Sequence, residues 1–326
     1  TFTGTGTNNI GTINDATATV TVNKSGGTLS TTGDLTLDQL NITGSGGTLL
    51  IDGESITYDD GLVISAGTLQ ITSGLLHHND YQADAISISG GTLDVDGGEV
   101  RIGDNDGSDY GPDIEMSSGT IDISGGSVNI NDELDVSNGT VTISGGTLSI
   151  GTYSGSNSDG GTATTDRFEM DAGTLNLTAG TINIYGQINS SSYDALDLAS
   201  GVTVNANTNN TISFAAGAGS NDEDMYVKLN DNQLGTVIIA NTNNSVFFED
   251  DLTILGDLSI NSLSTMDIAT GNCDLSLGGS FNNSGTLTSN EENFTFTGTG
   301  NTNVGEINDE QNVSTNNYSN KIPHPS

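Results

Sequence analysis

Apolar and polar residues alternate along most of this chain in short runs. In IEMSSGTIDISGGSVNIN, which starts at Ile114, the pairs Ile114/Met116, Ile121/Ile123 and Val128/Ile130 fall on one side, and Glu115, Asp122 and Asn129 on the other. A period of two is the period of an extended strand, so each run predicts a strand with one face turned inward. The runs are rich in Thr, Val and Ile and are broken by Gly-containing corners, a pattern that excludes helix.

The same grammar recurs. LDVSNGTVTISGGTLSIG repeats the first stretch, Leu134 taking the place of Ile114, and related units start at Ile86 and Phe168. Each unit is a coil of three strands that turns six apolar side chains inward. A coil of that size cannot bury its apolar edge alone, so the stack of coils is the folding unit. The prediction is an all-β fold: a right-handed parallel β-helix, or β-solenoid, triangular in section and rising about 4.8 Å per coil. Insertions fall repeatedly at one corner, after the third strand, at 76–84, 103–113, 151–166 and 185–194. They should stack on one edge, where variation and contacts concentrate.

Two longer similarities organise the chain. VTVNKSGGTLSTTGDLTL, from Val20, matches VIIANTNNSVFFEDDLTI, from Val237. The opening TFTGTGTNNIGTIND returns at 295–309 as TFTGTGNTNVGEIND, with Thr295 in the place of Thr1 and 11 of 15 positions identical. The expected organisation is one module over 1–294, with N-terminal coils at 1–60, glycine-rich central coils at 61–204 and C-terminal coils at 205–294. The stretch 295–326 begins a following, similar module.

Composition changes the picture in two ways. Apolar residues are only 32% of the 326 and glycines number 45, which fits a narrow apolar column and argues against a spherical core. The 42 Asp and Glu stand against Lys24, Arg101, Arg167, Lys228 and Lys321, for a formal net charge of −37. Five dispersed cations cannot neutralise a phosphate backbone, so nucleic acid is excluded as a partner, and an anionic membrane surface is disfavoured for the same reason. Such a surface attracts divalent cations instead. The one cysteine, Cys273, alternates with Leu275 and Leu277 and is expected to be buried with them. No secretory signal, lipidation motif or membrane-length apolar run is present, so no membrane insertion is expected.

The order of motifs carries a resemblance. F-T-G-T-G, an I-x-x-I pair, VTVNKSGGTLSTTGDLTLDQLNITGSGGTLLIDG, and finally GGSFNNSGTLTSNEENFTFTGTG together resemble the long secreted β-solenoid repeats of Bacteroidota surface proteins. Among these are giant adhesins of gliding cells exported by type IX secretion. The resemblance covers residues 1–53 and 251–309, and no catalytic signature lies among the matched positions. It implies an extracellular, cell-surface adhesin or stalk, with adjoining modules or identical chains end to end as partners and surface glycans as possible ligands.

Candidate chemistry is dominated by carboxylates. The outward positions Ser87, Glu115, Asp135, Glu169 and Asp197, flanked by Asp113 and Glu133, form an acidic ladder if the coils are in register. Like charges about 4.8 Å apart cost stability unless cations bridge them, so this face either binds calcium or serves as a solvated face that blocks lateral aggregation. The insertion DNDGSDYGPD offers Asp104, Asp106, Asp109 and Asp113 on a Gly-kinked loop. These are the calcium candidates, although the EF-hand spacing is incomplete and the G-G-x-G-x-D repeat is absent. LLHHNDYQAD places His77, His78, Asp80 and Asp84 together, but adjacent strand residues point apart, and an exposed loop is expected rather than a metal site.

Parallel β-helices also host polysaccharide lyases and glycosidases. Two arginines, no Trp and few aromatics supply neither the cations nor the sugar-stacking platforms of such enzymes, and no G-x-S-x-G, zinc or phosphate-loop motif appears. Thr68, Thr92, Thr120, Thr140 and Thr174, one per coil after the corner glycines, raise ice binding. A single corner file is more simply a hydrogen-bonding ladder. The reading from sequence is a non-catalytic structural repeat acting as a stiff spacer, with a self-assembling filament subunit as the alternative.

Overall fold

The computed structural model describes residues 1–79, 85–103, 114–131, 133–151, 168–185, 195–216, 224–242, 244–290, 292–298, 300, 302–303 and 305–309. The described residues are all-β: strands without helix, in parallel pairs. Each strand pairs with its counterpart one coil later, at the spacing of the sequence repeat where nothing is inserted. Ile114 faces Leu134, Thr120 faces Thr140 and Ser127 faces Thr147.

Three columns of pairs result. The first runs without a break from Phe2–Gly4 through Thr19–Lys24, Ile86–Ile88, Ile114–Met116 and Leu134–Val136 to Met225–Lys228, Ser245–Phe248, Thr286–Ser289 and Glu306–Asp309. The second starts at Asn8–Ile10 and ends in Leu196–Ala206. Farther on, a separate sheet of Gln233–Leu234, Leu252–Ile254, Leu275–Leu277 and Phe294–Phe296 takes the same place between first- and third-column strands. The third column begins at Ile13–Asn14 and reaches Thr302–Asn303.

The alternation places the core as expected. Ile114, Met116, Ile121, Ile123, Val128 and Ile130 are all buried and join one continuous cluster that runs the length of the stack. Each such side chain contributes about 1.5–3 kcal/mol by leaving water. The expected threonines stand in register, Thr68, Thr92, Thr120, Thr140 and Thr174 each facing the next.

Corners are less uniform than the sequence implies. Thr48–Ile64 and Thr68–His78 are single strands that bend around corners, with register shifts between Ile51 and Ser55 beside Gly53, whose φ is +101°. The offset is 20 on either side of the bend, at Ile51–Ile71 and at Ser55–Leu75, so the pairing is irregular only at the corner itself, and three short strands per coil give way to longer bent ones.

Lys24 is the largest exception to an apolar interior. It is fully buried at the end of Thr19–Lys24. Its Nζ donates to the Gly6 carbonyl at 2.6 Å and to Asn8 Oδ1 at 3.0 Å, tying the second coil to the first. A buried ammonium that loses a partner bears the full cost of its desolvation. Asn8→Ala is therefore expected to destabilise the first coil by about 1–3 kcal/mol, read as faster amide exchange over residues 8–14 with the centre of the stack unchanged.

Candidate functional site

The acidic ladder is in register. Ser87 faces Glu115, Glu115 faces Asp135, Asp135 faces Glu169 and Glu169 faces Asp197 along the outer side of the first column. Coil-to-coil pairing brings together side chains far apart in the chain, since the intervening insertions differ in length but leave the column unbroken. Glu133, which flanks the ladder, is 8% exposed, and its backbone carbonyl accepts from the Ile114 amide. The ladder ends on Lys228, which faces Asp197 with Nζ 3.8 Å from Oδ2. That ion pair is half-exposed and contributes at most about 1 kcal/mol.

Beyond Lys228 the same face turns aromatic. Tyr226 and Phe247 face each other in neighbouring coils, with ring centroids 5.0 Å apart and planes inclined by 14°. Both rings point outward and are partly exposed. Burial raises the Tyr226 hydroxyl pKa above the usual phenol value, and the charges of Asp224, Glu249 and Asp267 add to the rise. A stacked, ionisation-resistant pair rimmed by carboxylates suits an apolar or sugar-like face. Sequence reasoning missed it, because aromatic scarcity hid two residues that only the register makes neighbours.

A second carboxylate group lies on the outer side of the second column. Asp94 faces Asp122, and Asp96 stands nearby, accepting from Gln70 Nε2 at 2.8 Å and Ser124 Oγ at 2.7 Å. Partial burial raises the pKa of Asp94, helped by the charges of Asp96 and Asp122, and that of Asp122, helped by Asp96. A carboxyl whose folded pKa is raised binds its proton more tightly in the folded state. Stability from this pair is therefore full below the ordinary carboxylate range and falls as pH rises through the raised values. Asp122→Asn is expected to raise the melting temperature at neutral pH by about 1–3 °C and to flatten its decline between acid and neutral pH. An unchanged pH profile would contradict this account.

The remaining candidates divide. His77 and His78 end the strand Thr68–His78 instead of sitting in an exposed loop, because the alternation of Leu76 continues through them. His78 is buried against the Tyr58 ring, centroids 5.0 Å apart, while His77 faces outward. Asp80, Asp84, Asp104, Asp106, Asp109 and Asp113 lie outside the described residues. Among the described residues no group of three or more His, Cys, Asp or Glu side chains is placed to hold a metal ion. Cys273 is buried as expected, its thiol donating to the Phe248 carbonyl at 3.1 Å; burial and the nearby Asp250, Asp251, Glu292 and Asp267 push its pKa up to about 12. A thiol so placed is inert.

The insertion corner, between the third and first columns, carries one further feature. Leu263 there is 70% exposed, with φ of +66°. It is the one large hydrophobic residue strongly exposed among those described, and it sits where a left-handed backbone disfavours any side chain. The ladder, the aromatic pair and this corner adjoin along one side of the stack. No family profile matches the chain, and neither a curated protein nor a solved structure does.

Proposed function

We propose that this chain is a non-catalytic structural repeat of an extracellular, cell-surface adhesin or stalk, acting as a stiff spacer whose insertion-bearing side makes the contacts. The fold in this reading is a right-handed parallel β-helix with a triangular section. One observation carries the proposal: the first column of parallel pairs runs from Phe2 to Asp309 without a break. Hydrogen bonds then lie along the long axis at every level, and a pull along that axis loads many of them in concert.

The export route and the surface location rest on the resemblance of residues 1–53 and 251–309 to secreted Bacteroidota repeats. Calcium would be held by Asp104, Asp106, Asp109 and Asp113, and surface glycans would meet the Tyr226–Phe247 face. In small-angle scattering the chain should appear as a rod. The first column holds fourteen strands at about 4.8 Å each, so its length is roughly 60 Å. A compact, near-spherical particle would overturn the reading.

A further inference from the structure

Past the end of the acidic ladder, rings and carboxylates come together on the outer side of the first column. Tyr226 and Phe247 stack with planes inclined by 14°. Rings in contact lie about 3.5–4.0 Å apart, so centroids 5.0 Å apart mean that one ring is slid past the other and leaves part of a face on each uncovered. Both side chains are partly exposed.

Three carboxylates rim the pair. Asp224 accepts through Oδ1 from the Ser245 amide at 2.8 Å, on the strand that carries Phe247. Glu249 is exposed just past the end of that strand, and Asp267 faces Phe247 from the next coil, with Oδ1 accepting from the Thr270 amide at 2.9 Å. Burial, and then the charges of these three groups, raise the Tyr226 hydroxyl pKa, so all three lie within electrostatic reach of one ring. None of them forms an ion pair with a described cation: Lys24 is buried in the second coil, Arg101 is on Glu99 and Lys228 on Asp197.

Such a rim selects the charge of a ligand. An acidic sugar would set its carboxylates against three that already lack a counterion, on a chain of net charge −37, and is repelled. A cationic ligand meets complementary charge. We infer that the Tyr226–Phe247 face binds a polymer of amino sugars with free amines, the C–H face of one pyranose resting on the offset rings and its ammonium pairing with Asp224, Glu249 or Asp267. Apolar surface in the middle with charge at the edge is the layout of that sugar. A lysine or arginine side chain carries its charge at the tip and binds an aromatic ring with that charge over the ring face.

This inference rests on the glycan contact proposed above and names the class of glycan. Calorimetric titration of the full chain tests it with a glucosamine tetramer, the fully N-acetylated tetramer and tetralysine, at mildly acidic pH where amines are protonated and ordinary carboxylates ionised. The free-amine tetramer is expected to bind about tenfold tighter than the acetylated one. Phe247→Ala should weaken it about tenfold, through loss of the stacking face. Asp267→Asn should weaken it about two- to fivefold, as a partly exposed ion pair does. That substitution keeps the oxygen that accepts from Thr270, so it tests the charge even where loss of the Phe247 ring disturbs the coil.

Asp60→Asn, at an exposed position several coils away, should leave the affinity unchanged; a loss equal to that of Asp267→Asn would mean attraction to the whole acidic surface and overturn the site. Equal binding of the two tetramers overturns the selection for free amines and leaves the glycan contact standing. If neither tetramer binds, the glycan contact falls as well. Tetralysine bound as tightly as the glucosamine tetramer, and weakened as much by Phe247→Ala, would assign the face to a basic peptide and overturn the proposal.

Discussion

Gly126→Val is expected to destabilise the stack by about 3–5 kcal/mol, the sum of left-handed strain and steric overlap. Gly126 turns the corner between the second and third columns with φ of +63°, and an added Cβ would meet the Gly98 carbonyl and lie 2.6 Å from the Gly97 carbonyl carbon. The next coil repeats the arrangement: a Cβ at Gly146 would lie 2.7 Å from the Gly126 oxygen. A side chain at Gly126 therefore pushes its corner away from the Gly97–Gly98 corner of the preceding coil. Differential scanning calorimetry should show the main transition lowered by about 10 °C, and a shift under about 2 °C would contradict the corner geometry. In a one-dimensional stack the break also divides the transition, because each coil is stabilised only by its neighbours.

Phe168→Ala should cost a similar amount, about 3–5 kcal/mol, by a different route. Phe168 is fully buried in the first column, facing Leu134 on one side and Leu196 on the other. Removing the ring leaves a void that two rigid, hydrogen-bonded neighbours cannot collapse to fill. Ser87→Ala, on the outer side of the same column, is expected to change stability by less than about 0.5 kcal/mol. The contrast, measured by denaturant unfolding, checks the assignment of inside and outside. Equal effects at the two positions would mean that the column is not closed around a core.

Much of the candidate site was legible in advance. Ser87, Glu115, Asp135, Glu169 and Asp197 stand in one outward file as their parity requires, and Cys273 is buried with Leu275 and Leu277. His77 and His78 were misplaced because the strand continues farther than the composition of LLHHND suggests. Asp94 meets Asp122 across an insertion, and Tyr226 meets Phe247 one position beyond the repeat. Neither separation is the one that links Ile114 to Leu134, so neither pair stands out along the chain.

What the sequence determined by itself was the side on which each residue stands and where the chain turns. Pleating sends successive side chains to opposite faces, and a left-handed corner admits little but glycine; both are properties of a few bonded residues. Tertiary structure alone decided which residues become neighbours along the stack. A loop of any length between two strands leaves their pairing intact, so register is set by the packing of apolar columns and not by counting. The same freedom sets the 295–309 stretch one column away from 1–15, despite their near-identical sequence: Phe2 lies in the first column and Phe296 in the sheet that takes the second column's place.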